Sequence, residues 1–222
     1  MHSGLQNLTL IKNKVNEIIK EKQLKINPNI IVVSKTFSLN VVKPILDSGH
    51  IHFGENKLQE AEDKWLDVKN NNNNLQLHMV GKLQSNKAKK AVKLFDYIHS
   101  LDSLKLANKI SQYEKELNKK VKLFIQVNIG NEDQKSGVSL DDLGDFYTFC
   151  TQNLSLNIIG LMCLPPIDQN PEKYFINLNQ LAKNLSLKDL SMGMSSDYKA
   201  ALINGSTFLR LGSIILGKRN II

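Results

Sequence analysis

The chain has 222 residues, 41% hydrophobic and 23% charged, proportions that exclude a disordered or fibrous protein; no apolar run approaches the roughly 18 residues of a membrane span. The start, Met1-His2-Ser3-Gly4-Leu5, has no basic stretch leading into an apolar one, and the two cysteines, Cys150 and Cys163, are far apart, so a cytoplasmic protein without a disulfide framework is expected. The net charge of +8 comes from lysines scattered along amphipathic stretches, with Arg210 and Arg219 the only arginines, a pattern of a solvated surface rather than of specific nucleic-acid recognition.

Residues 5–22 place Leu8, Ile11, Val15 and Ile18 at helical spacing, which predicts an amphipathic helix ahead of the main body. From about residue 28 to 218 short apolar runs alternate with helical segments. The predicted strands are Ile30–Val33, His50–Phe53, Leu75–Val80, Tyr97–His99, Val121–Val127, Asn157–Met162, Leu187–Ser191 and Phe208–Leu211. Between them lie predicted helices at Asn40–Ser48, Lys57–Val68, Gln84–Leu94, Ser103–Leu117, Leu140–Asn153, Pro171–Asn184 and Asp197–Asn204, with a short one after Ser213. Ser85 and Ser196 read as N-caps and Asn204-Gly205 as a C-cap, while Asn70–Asn74 reads as a surface loop.

Two architectures satisfy this alternation: a (β/α)₈ barrel and an open, doubly wound sheet. Eight repeats favour the barrel, and no linker interrupts them, so residues 1–222 are expected to form one domain. In a barrel, chemistry belongs at the C-terminal ends of the strands.

Those ends contain a coherent set of residues. Lys35 follows an apolar first strand; it is either a snorkelling lysine or an amine whose desolvation frees it as a nucleophile toward an aldehyde. Asn56, after Phe53-Gly54-Glu55, can orient a polar ligand group. His78 ends the third strand and is either a core histidine or a site residue, whereas His50 and His52 lack a third ligand at fitting spacing, so no metal site is expected. The seventh strand runs into Ser191-Met192-Gly193-Met194-Ser195-Ser196, and the eighth, Phe208-Leu209-Arg210-Leu211, into Gly212-Ser213. Loops at these two places commonly cradle a phosphate, and a guanidinium inside an apolar strand needs a specific partner. A lysine amine, a phosphate cradle and an inward arginine together describe a pyridoxal phosphate (PLP) site.

Val33-Ser34-Lys35-Thr36, Phe53-Gly54-Glu55-Asn56, His78–Gly81 with Leu83–Lys87, Gln126–Ile129, Lys135-Ser136-Gly137, Gly160-Leu161-Met162, Leu190–Ser195 and Gly205–Thr207 with Arg210, Gly212 and Gly217 occur in one order along almost the whole chain. In these motifs the sequence resembles the pyridoxal phosphate homeostasis protein family, itself similar to the barrel domain of alanine racemase. Leu77, Lys82 and Ser213 depart from that pattern, where the family usually has Trp, Pro and Thr. The resemblance implies a fold-type III PLP barrel in which Lys35 is the Schiff-base lysine and Arg210 the partner of the pyridine nitrogen. It implies that Ser195, Gly212 and Ser213 hold the phosphate and that Asn56, His78 and Met192 line the cofactor pocket. It further implies a monomeric, vitamin B6-handling protein that buffers PLP or delivers it to apo PLP enzymes without catalysis of its own. The alternative is a small PLP-dependent amino-acid racemase, which would need a second base that this chain does not evidently supply.

Overall fold

The computed structural model describes residues 3–132, 134 and 136–217. Lys135 and Arg219, both singled out in the sequence, lie outside the described residues. Eight parallel strands pair in chain order: β1 (Asn29–Val33), β2 (His52–Glu55), β3 (Gln76–Met79), β4 (Tyr97–Leu101), β5 (Lys122–Val127), β6 (Ile158–Cys163), β7 (Asp189–Ser191) and β8 (Phe208–Leu211). Residues Asn29–Val32 of β1 then register with Phe208–Leu211 of β8, which closes the sheet. Closure decides for the barrel over the open sheet.

Helix α1 (Ser3–Glu21) buries Leu8, Ile11 and Val15, and Asn7 Nδ2 donates to the carbonyl of Ile215 at 2.9 Å. The other helices follow the strands: α2 (Leu39–Asp47), α3 (Leu58–Asn71), α4 (Ala88–Leu94), α5 (Leu104–Leu117), α6 (Leu143–Thr148), α7 (Glu172–Asn184), α8 (Tyr198–Ile203) and α9 (Ser213–Leu216).

Several boundaries differ from the sequence expectations, each for a local reason. The second strand begins at His52 rather than His50, because the His50 ring folds onto its own chain and bonds the carbonyl oxygen of His52 at 3.0 Å. The expected helix at Leu140–Asn153 starts late, since a turn in which Ser139 Oγ bonds both the carboxylate and the backbone N–H of Asp142 occupies its beginning. It ends in a wider π turn, Phe149–Asn153, with Cys150 buried. Ser85 opens a 3₁₀ turn ahead of α4 without capping it. Asp197, not Ser196, stands at the start of α8, and its carboxylate turns back to accept the N–H of Met194 at 2.6 Å. Ser103 caps α5 through a bond from Leu106 N–H, and Asn204-Gly205 ends α8 as expected.

Period-two alternation along the strands sorts the core into two regions. Ile30, Val32, Phe53, Leu77, Ile98, Leu123, Leu161 and Leu209 pack with Trp65 and Phe175 into the large cluster under the helices. Ile31, Val33, Tyr97, Phe124, Met162 and Phe208 form a separate apolar layer. Threaded among the latter are four buried polar side chains, His78, His99, Ser191 and Arg210.

Candidate functional site

At the C-terminal ends of the strands lies a cleft of about 410 Å³. It brings together six of the eight sequence-selected residues: Lys35 after β1, Asn56 after β2, Ser195 after β7, Arg210 in β8, and Gly212 and Ser213 just beyond it. His78 and Met192 do not line it. Both are fully buried; Met192 is packed in the main hydrophobic core, and His78 lies inside the barrel bonded to two other histidines.

Lys35 stands on a braced turn. Thr36, next to it, takes φ +69°, the left-handed region that a β-branched residue seldom occupies. Its N–H donates to Glu60 Oε1, and Phe37 N–H donates to the carbonyl of Ser34 at 3.1 Å. Lys64 on α3 reaches under the turn, donating to the carbonyl of Ser34 and to Glu55 Oε1 at 2.8 Å each, and to Glu60 at 3.0 Å. Glu55 Oε1 also accepts from Ser34 Oγ at 2.7 Å and from Trp65 Nε1 at 2.9 Å. The Lys64 side chain is 6% exposed and that of Glu55 0%, so the pair is buried. Breaking such a pair leaves an uncompensated charge. Lys64→Met is therefore expected to cost roughly 3–5 kcal/mol of stability, read from urea unfolding. The sequence reading missed this brace because a helical lysine resembles a surface lysine; the available signal was an acid, Glu55, at the inner end of an apolar strand.

Arg210 is 5% exposed. Its Nη1 donates to Ser191 Oγ at 2.6 Å and its Nη2 to the carbonyl of Cys163 at 2.8 Å; no carboxylate pairs with it among the described residues. Burial lowers its pKa, and Asp197 acts in the opposite sense. The Cys163 thiol is pushed up to about 12 by burial and is neutral near pH 7. A buried cation of this kind, with donors to spare beside an open cleft, fits an acceptor atom of a ligand.

The two loops after β7 and β8 meet beside it. Gly193 supplies the φ of +91° that turns the chain out of β7, and a side chain there would collide with Ala201. Ser195 Oγ accepts from Ile214 N–H at 3.3 Å, which ties the loops together. The N–H groups of Ser195, Ser196 and Ser213 have no acceptor among the described residues. Because α9 is a single turn, an anion here would meet these N–H groups and hydroxyls rather than a long helix dipole.

The profile of the family "Alanine racemase, N-terminal domain" matches residues 7–220. A protein of Haemophilus influenzae named pyridoxal phosphate homeostasis protein is 32% identical over 225 residues, covering 96% of this chain and 95% of that one. The chain belongs to the pyridoxal phosphate homeostasis protein family. Among solved structures, PipY of Synechococcus elongatus PCC7942, determined with PLP bound, is 33% identical, with a TM-score of 0.79 over 91% of this chain and all of that one. Alanine racemase of Clostridium difficile 630 shares the fold at 14% identity, with a TM-score of 0.72 over 97% of this chain but only 57% of its own length. In this family member the cleft, the braced lysine and the buried arginine thus sit on a barrel shared with both.

Proposed function

We propose that the protein binds PLP in this cleft, covalently through Lys35, and buffers it or delivers it to apo PLP enzymes without catalysing a reaction of its own. The observation that carries this is the joint placement of Lys35, Arg210 and the Ser195, Gly212 and Ser213 loops around one cleft. The residues present fit the group: an amine for the aldehyde, spare N–H donors for the phosphate, and a guanidinium for the pyridine nitrogen. Asn56 lines the remaining wall, while His78 lies inside the barrel, joined to Arg210 through His99 and Ser191, and Met192 packs in the core. When bound, PLP supplies an aldehyde and an electron-accepting ring. Arg210 can donate but not give up its proton, so it leaves the ring nitrogen unprotonated and the ring a weak electron sink. Lys35 and Arg210 are the titratable groups of the cleft wall among the described residues, and neither is a second base. This supports a carrier over a racemase. No helix among the described residues is long and apolar enough to cross a membrane.

Incubation of the loaded protein with L- or D-alanine in deuterium oxide tests the reading. No sustained racemisation or α-deuteration is expected, together with reactivation of an apo PLP enzyme; multiple-turnover racemisation lost in Lys35→Ala would promote the enzyme. The phosphate loops carry a separate expectation. A Cβ at Gly212 would lie 3.2 Å from the carbonyl oxygen of Val33, so Gly212→Val must displace the loop or the end of β1. Ser213→Ala removes one hydroxyl, expected to weaken PLP retention by less than about tenfold. Gly212→Val should weaken it further, in dialysis against an aldehyde scavenger.

A further inference from the structure

Behind Arg210, polar side chains run in single file through the barrel. Ser191 Oγ lies 2.8 Å from His99 Nδ1, His99 Nε2 lies 2.9 Å from His78 Nδ1, and His78 Nε2 lies 3.0 Å from His52 Nδ1. His78 and His99 are fully buried, and their rings are clamped by stacking, His78 on Tyr97 and His99 on Phe124, at 4.3 Å between centroids in both cases.

The direction of the file follows from its two ends. A guanidinium only donates, so Ser191 Oγ accepts from Arg210. The Ser191 hydroxyl then has its own hydrogen to place, and His99 Nδ1 is its other partner among the described residues. His99 Nδ1 is therefore bare, and a neutral imidazole with a bare Nδ1 carries its hydrogen on Nε2, facing His78 Nδ1. The same step repeats to His52, whose hydrogen is left on Nε2. Reversing every bond would make Ser191 Oγ accept twice and bury a hydroxyl hydrogen without an acceptor, which folded proteins avoid.

We propose that His99 and His78 are positioning residues for Arg210: with Ser191 they form a neutral hydrogen-bonded chain of fixed direction that aims the guanidinium at the pyridine nitrogen of PLP. The proposal rests on the reading that Arg210 meets that nitrogen. The chain explains how a buried cation is held without a carboxylate, since its polarity points lone pairs toward Arg210 and hydrogens away from it. Burial first, then neighbouring His99, His52 and His50 together with Lys122, disfavours charge on His78; burial, Arg210 and His52 disfavour it on His99. At the far end His52 faces Lys122 and Asp96, beside a separate cavity of about 330 Å³ that Lys12 also lines. A proton on His52 would set an Nδ1–H against the Nε2–H of His78 and break the file.

Two measurements test this on the full chain. The first is long-range ¹H–¹⁵N imidazole spectroscopy of the cofactor-free protein at pH 7. His52, His78 and His99 are expected as neutral Nε2–H tautomers, with His50 as an internal standard, since its Nε2 faces a carbonyl oxygen and must carry the hydrogen. An Nδ1–H tautomer or an imidazolium at His78 or His99 would overturn the chain, whatever the fate of the PLP reading. The second is His99→Phe, which keeps a ring against Phe124 and deletes the acceptor for Ser191. It is expected to weaken PLP binding by about tenfold and to shift the visible absorption of the loaded protein. Unchanged affinity and spectrum in a folded His99→Phe protein would refute the positioning role. If that variant does not fold, the tautomers of the wild-type protein decide. Failure of the wild-type protein to bind PLP would instead count against the function proposed for the cleft, with the tautomer result still judging the chain.

Discussion

Lys35→Ala is expected to shift the near-visible band of the PLP-loaded protein to that of the unlinked cofactor and to abolish its resistance to dialysis. The covalent link is removed with the amine, while Arg210 and the phosphate loops keep a weaker, reversible hold. The expected pattern is therefore residual binding at high PLP that exchanges freely, with faster transfer to an apo PLP enzyme. Stability should change little, because the brace of Glu55, Glu60 and Lys64 grips the backbone on either side of Lys35. A variant that retains the absorption band and slow dialysis would place the attachment on another of the many lysines.

Mild acid is expected to destabilise the fold steeply, through groups outside the cleft. His50 and His52 are held at about 4, and His78 and His99 well below 6.5, with burial the leading cause in all four. Each is freer to bind a proton when unfolded, at its ordinary value of 6.5. The sign follows: above 6.5 neither state is protonated and stability is flat, whereas below 6.5 the unfolded state binds protons the folded state refuses. Stability therefore falls as the pH drops from 6.5, and for His50 and His52 the loss levels off near 4. Each histidine kept neutral in the folded state removes at most about 1.4 kcal/mol per pH unit below 6.5, and the partly exposed His52 removes less. Against a typical stability of about 5–15 kcal/mol, a clear loss between pH 7 and pH 5 is expected. Urea midpoints at pH 7 and pH 5 check this: a midpoint that does not fall at pH 5 would contradict it. His99→Phe should lessen the acid slope, having one fewer proton to refuse.

Much of this was legible in the sequence, and the parts that were not share a cause. Strand–helix alternation exposed all eight strands, because apolar runs buried on both faces are local signals. Lys35, Asn56, Ser195, Arg210, Gly212 and Ser213 were singled out because barrel chemistry occupies strand ends, a rule that needs only element boundaries, and the fold brings the six to one cleft. The histidine file could not be found that way. His52, His78 and His99 lie on three different strands, and their junction depends on register, which the sequence does not display. A period-two reading of Tyr97–Leu101 would have put His99 on the same face as Tyr97, yet nothing local says that this face meets Ser191 of β7. The Lys64 brace was hidden likewise: one amine bonds residues from β2, α3 and the turn after β1, and only the folded barrel brings them to one point. The short α6 was hidden by a side-chain turn at Ser139 and Asp142 that outcompetes one more turn of helix.

The central claim, that PLP is held in the cleft on Lys35 opposite Arg210, is tested most directly by borohydride reduction of the loaded protein followed by peptide mass mapping. The expected result is a pyridoxyl group predominantly on the peptide containing Lys35, lost in Lys35→Ala and diminished by Gly212→Val. A label found mainly on another lysine, or spread evenly among them, would contradict it.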